Sequence, residues 1–163
     1  MSAGESARER LRILRAAHSI AIVGFSPTTA RSSYYVATYL VQDTDYRLSF
    51  VNPRAAGQTV LGHTIHASLA DLPEVPDIVD VFRRAEDLPG VVDEVIALDA
   101  PTEGRTVWFQ LGLVNESAAE TARAAGLGVV QNRCLKIEHA RFHGGLHLAG
   151  FDTGVISSRK GAR

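Results

Sequence analysis

The chain has one cysteine, two lysines and no long apolar run, and each shortage excludes something. A single thiol cannot close an intramolecular disulfide, so a stapled secreted scaffold is ruled out. No apolar stretch approaches the roughly 20 residues of a membrane helix. An intracellular, cytoplasmic protein without a membrane partner is therefore expected. Charge of one sign is missing as well: 17 basic against 18 acidic side chains leave a formal net charge of −1. That balance disfavours non-specific nucleic-acid binding, although a local anion pocket is compatible with it. What is present is 163 residues, 45% of them hydrophobic, which is enough for one domain with its own core.

Leu11, Leu14 and Ala17, interspersed with arginines, predict a short amphipathic helix ahead of Ser19-Ile20-Ala21-Ile22-Val23, whose unbroken apolar run reads as a buried strand. Tyr35, Val36, Tyr39 and Leu40 recur at helical spacing behind Ser32 or Ser33 as cap. Further strands are expected at 47–51, 78–82, 105–109 and 127–130, with a short edge segment near Val60 and Leu61. Helices are expected at 88–97 and from Asn115 to Ala125, with a helical turn at 68–72. Strand-then-helix repetition requires right-handed crossovers, so the fold class is α/β: a Rossmann-like parallel sheet with helices on both faces. Ligands of such sheets sit beyond the carboxyl ends of the strands.

Those ends carry the candidate site. Gly24-Phe25-Ser26-Pro27 lies between a strand and a helix, where backbone amides, the Ser26 hydroxyl and Arg31 could receive a pyrophosphate. The G-x-G-x-x-G pattern of a dinucleotide site is absent, as is an acid at the outlet of the second strand to read a free ribose. That outlet is Asn52-Pro53-Arg54 instead, and Arg54 suits a phosphorylated ribose. A diphosphate carrying an extra ribose phosphate describes coenzyme A or a phosphorylated nicotinamide dinucleotide.

In order along the chain stand Ile22-Val23-Gly24-Phe25-Ser26-Pro27, Arg31-Ser32-Ser33-Tyr34, Phe50-Val51-Asn52-Pro53, Ser68-Leu69-Ala70-Asp71-Leu72-Pro73, Asp80-Val81-Phe82-Arg83-Arg84, Val107-Trp108-Phe109-Gln110-Leu111-Gly112 and Asn132-Arg133-Cys134. Together they resemble the coenzyme A-binding protein family related to the nucleotide-binding domain of the succinyl-CoA synthetase alpha subunit. The resemblance spans residues 8–142 as one binding domain and leaves 143–163 as a C-terminal extension. It implies coenzyme A or an acyl-CoA as partner, with Gly24, Ser26, Arg31, Asn52, Pro53 and Arg54 around the nucleotide and Phe82, Arg83 and Arg84 farther across the groove. The loop departs from the family's commoner glycine-serine-proline form, having Phe25-Ser26-Pro27-Thr28-Thr29-Ala30 before Arg31.

Trp108 and Phe109 flank the expected mouth, one to line an apolar channel and the other to pack inward. Gln110 and Asn132 are candidates to orient an amide of the ligand or to hold a turn, and Asp80 to support a neighbouring amide or arginine. Cys134 is the candidate catalytic group: a thiolate favoured by Arg133 could accept an acyl group or exchange with a coenzyme A disulfide. An NADP-binding reductase is a third reading. His139, His143 and His147 fall every four residues beside Glu138, but Gly144 and Gly145 interrupt the helix that would align them, and no metal is expected.

Overall fold

A computed structural model describes residues 6–142. Helix α1 (Ala7–Ala16) is capped by Ser6, whose hydroxyl accepts the Glu9 amide, and leads into β1 (Ser19–Val23). Then follow α2 (Ser32–Asp43), β2 (Arg47–Val51), β3 (Thr59–Val60), β4 (His63–His66), β5 (Ile78–Val81), α3 (Leu88–Ile96), β6 (Thr106–Phe109), α4 (Glu116–Ala124), β7 (Gly128–Val130) and α5 (Leu135–Ala140). Short 3-10 turns occupy Leu69–Asp71 and Ala85–Asp87.

The seven strands lie in the order β3-β4-β2-β1-β5-β6-β7. All neighbours pair in parallel except β3, which forms an antiparallel edge hairpin with β4. From β1 the chain winds outward through β2 and β4, then returns to lay β5 on the other side of β1. This is the doubly wound arrangement, and the reversal between β1 and β5 opens a crevice at their carboxyl ends.

Strands β1, β5 and β6 are buried at every position because both faces of the sheet are covered. Ile20, Ile22, Phe50, Ile78, Trp108 and Val130 pack on one face with residues of α1, α2 and α5. Val23, Val51, Val79, Val81, Val107 and Phe109 pack on the other with α3 and the alanine-lined side of α4. At the β7 edge, Arg10 of α1 and Arg123 of α4 flank Val129 and Gln131, with Arg133 just beyond. Arg10 is buried and its Nε donates to Glu138 Oε1 at 2.6 Å, joining α1 to α5.

The structure differs from the sequence reading in three places. The expected single edge segment is a hairpin, and its β4 strand pairs with β2 through Ile65 and His66. The α2 cap position belongs to Arg31, which makes no side-chain cap. Ser33 is turned away from that task because its hydroxyl accepts the Ser26 amide at 2.9 Å. Helix α5 was not expected at all. His143 and His147 lie outside the described residues; His139 is buried, with Nδ1 2.7 Å from the Tyr39 hydroxyl. No helix among the described residues is long and apolar enough to cross a membrane.

Candidate functional site

The three strand outlets at the crevice are tied together by hydrogen bonds. The amides of Gly24 and Phe25 both donate to Val51 O, at 2.8 and 3.2 Å, and the Phe82 amide donates to Val23 O at 2.8 Å. Asn52 completes the link: its Nδ2 donates to Phe25 O (2.8 Å) and its Oδ1 accepts the Arg54 amide (2.9 Å). Gly24 has φ +82°, and a Cβ there would stand 2.4 Å from Phe82 O. Only glycine fits, both for the left-handed backbone and for the approach of β5.

Two clefts meet at this point. The first, about 410 Å³, is walled by Ser26, Arg31, Tyr35, Val36, Gln110, Leu111, Leu113, Cys134 and Ile137, together with Gly24, Phe82 and Arg83. Its rim is apolar: Tyr35, Leu111 and Ile137 are 62%, 64% and 49% exposed, although such side chains are costly to leave in water. The second cleft, about 460 Å³, shares Gly24, Phe82 and Arg83 with the first and adds Asn52, Pro53, Arg54, Arg84 and Asp87. Among the described residues Arg31 and Arg54 make no ion pair, whereas Arg83 and Arg84 lie 3.5 and 3.3 Å from Asp87. Arg84 also approaches Glu86 at 3.6 Å. The uncommitted positive charge therefore sits on Arg31 and Arg54, one beside each cleft.

Eleven of the expected residues line these clefts: Gly24, Ser26, Arg31, Asn52, Pro53, Arg54, Phe82, Arg83, Arg84, Gln110 and Cys134. Phe25, Pro27, Trp108 and Asn132 do not. Phe25 is fully buried and stacks on Phe50 with ring centroids 4.1 Å apart, and its carbonyl serves only to hold Asn52. Trp108 is fully buried too, its indole N–H donating to Arg133 O (2.9 Å); Phe109 faces the opposite core, and neither ring lines a channel. Asn132, at φ +57°, accepts the Gly112 amide at 2.7 Å and holds the β6 and β7 outlets together. The amides expected to receive phosphate are also taken: those of Gly24 and Phe25 by Val51 and that of Ser26 by Ser33. The donors left include the Ser26 hydroxyl, the Arg31 guanidinium and the amides of Ser32 and Ser33, the first two of α2, since those of Tyr34 and Tyr35 already donate to Arg31 O.

Cys134 is half-buried at the start of α5. Burial pushes its thiol above the usual range; the amides of Ile137 and Lys136 and the Lys136 ammonium oppose the shift, and Asp80 reinforces it. Arg133 was expected to favour the thiolate, but its side chain is exposed and is not among the groups that shift the thiol, and burial outweighs those that are. The thiol is thus protonated near neutrality, the reverse of an activated nucleophile.

Sequence reasoning missed Tyr35 and Ile137 as cleft walls, and gave Asp80 too little weight. Asp80 is fully buried in β5, in register with Ile22 of β1 and Trp108 of β6. Its Oδ1 accepts Gln110 Nε2 at 2.6 Å, and its Oδ2 has no hydrogen-bond partner among the described residues. Burial pushes the carboxyl up to about 8, with the Gln110 hydrogen bond pulling the other way. No cluster of three or more metal-ligating side chains occurs among the described residues.

Comparison with known proteins agrees with this architecture. The model of the CoA binding domain family matches residues 18–140. The uncharacterized protein YneT of Bacillus subtilis is 38% identical over 135 residues, covering 83% of this chain and 95% of its own. A Thermus thermophilus protein, cell-free ID.343, superposes with a TM-score of 0.75 at 37% identity, covering 83% of this chain and 98% of its own. A hypothetical protein from Pyrococcus horikoshii does so with a TM-score of 0.77 at 33% identity, covering 86% and 94%. The fold, the strand order and a family match over most of the chain lead to one conclusion: this protein belongs to the CoA binding domain family.

Proposed function

We propose that the protein binds coenzyme A and sequesters, presents or senses it. The observation that carries this reading is the pair of clefts of opposite chemistry sharing Gly24, Phe82 and Arg83. A ligand lying across that boundary needs a polyanionic head and a long, weakly polar tail, which is the plan of coenzyme A. Arg54 and Asn52-Pro53 receive the phosphorylated ribose. Arg31, the Ser26 hydroxyl and the Ser32 and Ser33 amides at the start of α2 hold the diphosphate through charge and unpaired donors. The pantetheine chain lies between Tyr35, Leu111 and Ile137, where its burial also covers their apolar surface.

A protonated Cys134 favours a binding module over a Cys134-dependent acyl-transfer or coenzyme A-disulfide-exchange enzyme. Competitive calorimetry with coenzyme A, dephospho-coenzyme A and NADP tests the reading. Coenzyme A is expected to bind at least about tenfold more tightly than the dephospho form, the value of one charge-assisted contact, and Arg54→Ala to erase that margin. Equal weak affinities for all three ligands would refute it, and a preference for NADP together with ligand-dependent hydride transfer would select the reductase reading.

A further inference from the structure

We infer that Asp80 is a positioning residue for Gln110, and that together they decide whether the wall of the apolar cleft offers a hydrogen-bond acceptor or a donor to whatever lies there. Gln110 reaches the cleft while its carboxamide is held from below by a buried carboxyl. A carboxamide has two unlike ends, so the end given to Asp80 fixes the end shown to the ligand. An ionised Asp80 can only accept, hence it takes the N–H end, as in the structure at 2.6 Å, and Gln110 Oε1 is left for the cleft.

A protonated Asp80 has a different need. Its proton, if carried on Oδ2, has no acceptor, because that oxygen is buried without a partner among the described residues. A buried unpaired donor is costly, and reversing the carboxamide removes it: the acid then donates to the Gln110 carbonyl, and the amino end faces the cleft. Since burial brings the carboxyl up to about 8, both forms are accessible near neutral pH. The register neighbours of Asp80 are Ile22 and Trp108, which do not titrate. On α5 and α2, Cys134 is protonated near neutrality, Lys136 lies over the Tyr35 and Tyr39 rings, His139 meets the Tyr39 hydroxyl and Glu138 is paired with Arg10, while Arg31 and Arg83 stand on the cleft walls.

The consequence for a ligand depends on its tip, and this part rests on the coenzyme A reading. A thioester carbonyl only accepts, whereas a free thiol donates. Gln110 with its amino end outward prefers the acylated form; with its carbonyl outward it prefers the free thiol. The pair would make the cleft respond to acylation and to pH together.

The test has a ligand-free arm and a binding arm. In the free protein, the Asp80 carboxyl carbon and the Gln110 side-chain amide nitrogen are followed by NMR through a pH titration. They are expected to move with one shared midpoint, and the Gln110 movement to vanish in Asp80→Asn. In the binding arm, the affinity ratio of acetyl-coenzyme A to coenzyme A is measured at about pH 6.5 and about pH 9. It is expected to fall about fivefold in the native protein, the worth of one neutral hydrogen bond, and to stay level in Asp80→Asn and in Gln110→Met. A Gln110 resonance indifferent to Asp80, or an affinity ratio that ignores pH, would overturn the inference. If neither thiol nor thioester binds while the two resonances still titrate together, the coenzyme A reading fails and the Asp80–Gln110 coupling stands. If Asp80→Asn does not fold, the native titration and Gln110→Met still decide.

Discussion

Replacing Asp80 by asparagine should change the pH dependence of stability in a defined way. The carboxyl sits at about 8 in the fold against an ordinary 3.8, burial being the cause. Below about pH 4 it is protonated in both folded and unfolded chains and contributes no slope. Between about 4 and about 8 the folded protein keeps a proton that the unfolded chain has released, so stability falls as pH rises, by about 1.4 kcal/mol per unit at most. Above about 8 both states are ionised and the slope ends. Asparagine removes this slope. It also places an N–H₂ where Oδ2 has no partner, a pH-independent cost of about 1–3 kcal/mol. The diagnostic is therefore the change in the difference between the two proteins, not its size at one pH. From about pH 5 to about pH 7 that difference should move by roughly 2–3 kcal/mol in favour of Asp80→Asn. Urea denaturation at several pH values, with matched slopes in denaturant, measures it. Glu9, Glu74 and Asp87, held low by their arginine partners, lose stability on acidification in both proteins and cancel. Parallel profiles would show that Asp80 is ionised in the fold and would refute the reasoning.

Gly24→Ala should destabilise the protein by at least about 2 kcal/mol, combining the left-handed backbone penalty with a Cβ pressed against Phe82 O, and calorimetric melting checks it. Glu138→Ala removes the carboxylate facing a buried guanidinium and should cost about 3–5 kcal/mol in denaturant titration, against a smaller loss for Glu138→Gln, which still accepts from Arg10. Cys134 should react slowly with iodoacetamide at neutral pH and accelerate only above its ordinary thiol range; rapid alkylation near pH 7 would contradict the raised thiol.

The elements legible in the sequence are those whose local pattern and final environment agree. Strands β1 and β6 are nearly unbroken apolar runs, β5 is one but for Asp80, and β2 alternates Leu48, Phe50 and Val51 with polar residues; all four end up in the interior of the sheet, and Asn115 opens α4 with a side chain that accepts the Ala118 amide. Strand β4 was hidden because only Ile65 of its four residues is buried, the others being two histidines and a threonine next to the outermost strand. Helix α5 spans six residues, too few for a period to show. At the site, the backbone turns and the arginines could be read from strand outlets. The fate of Trp108 could not, because alternation along β6 sends one aromatic to each core. The environment of Cys134 was equally hidden: its chain neighbour Arg133 faces solvent, and the burial that raises its thiol comes from elements brought together only by the fold.

The two margins of the sheet are finished differently. One is hemmed by the β3–β4 hairpin, whose antiparallel turn leaves only a two-residue strand outermost. The other, β7, is outermost among the described residues and is bordered by Arg10 and Arg123, each paired with a glutamate, and by the exposed Arg133. A second copy adding a strand along β7 would find only three residues to pair with and would have to push aside the long charged side chains of Arg123 and Glu116 beside them, which discourages the sheet from growing past its last strand.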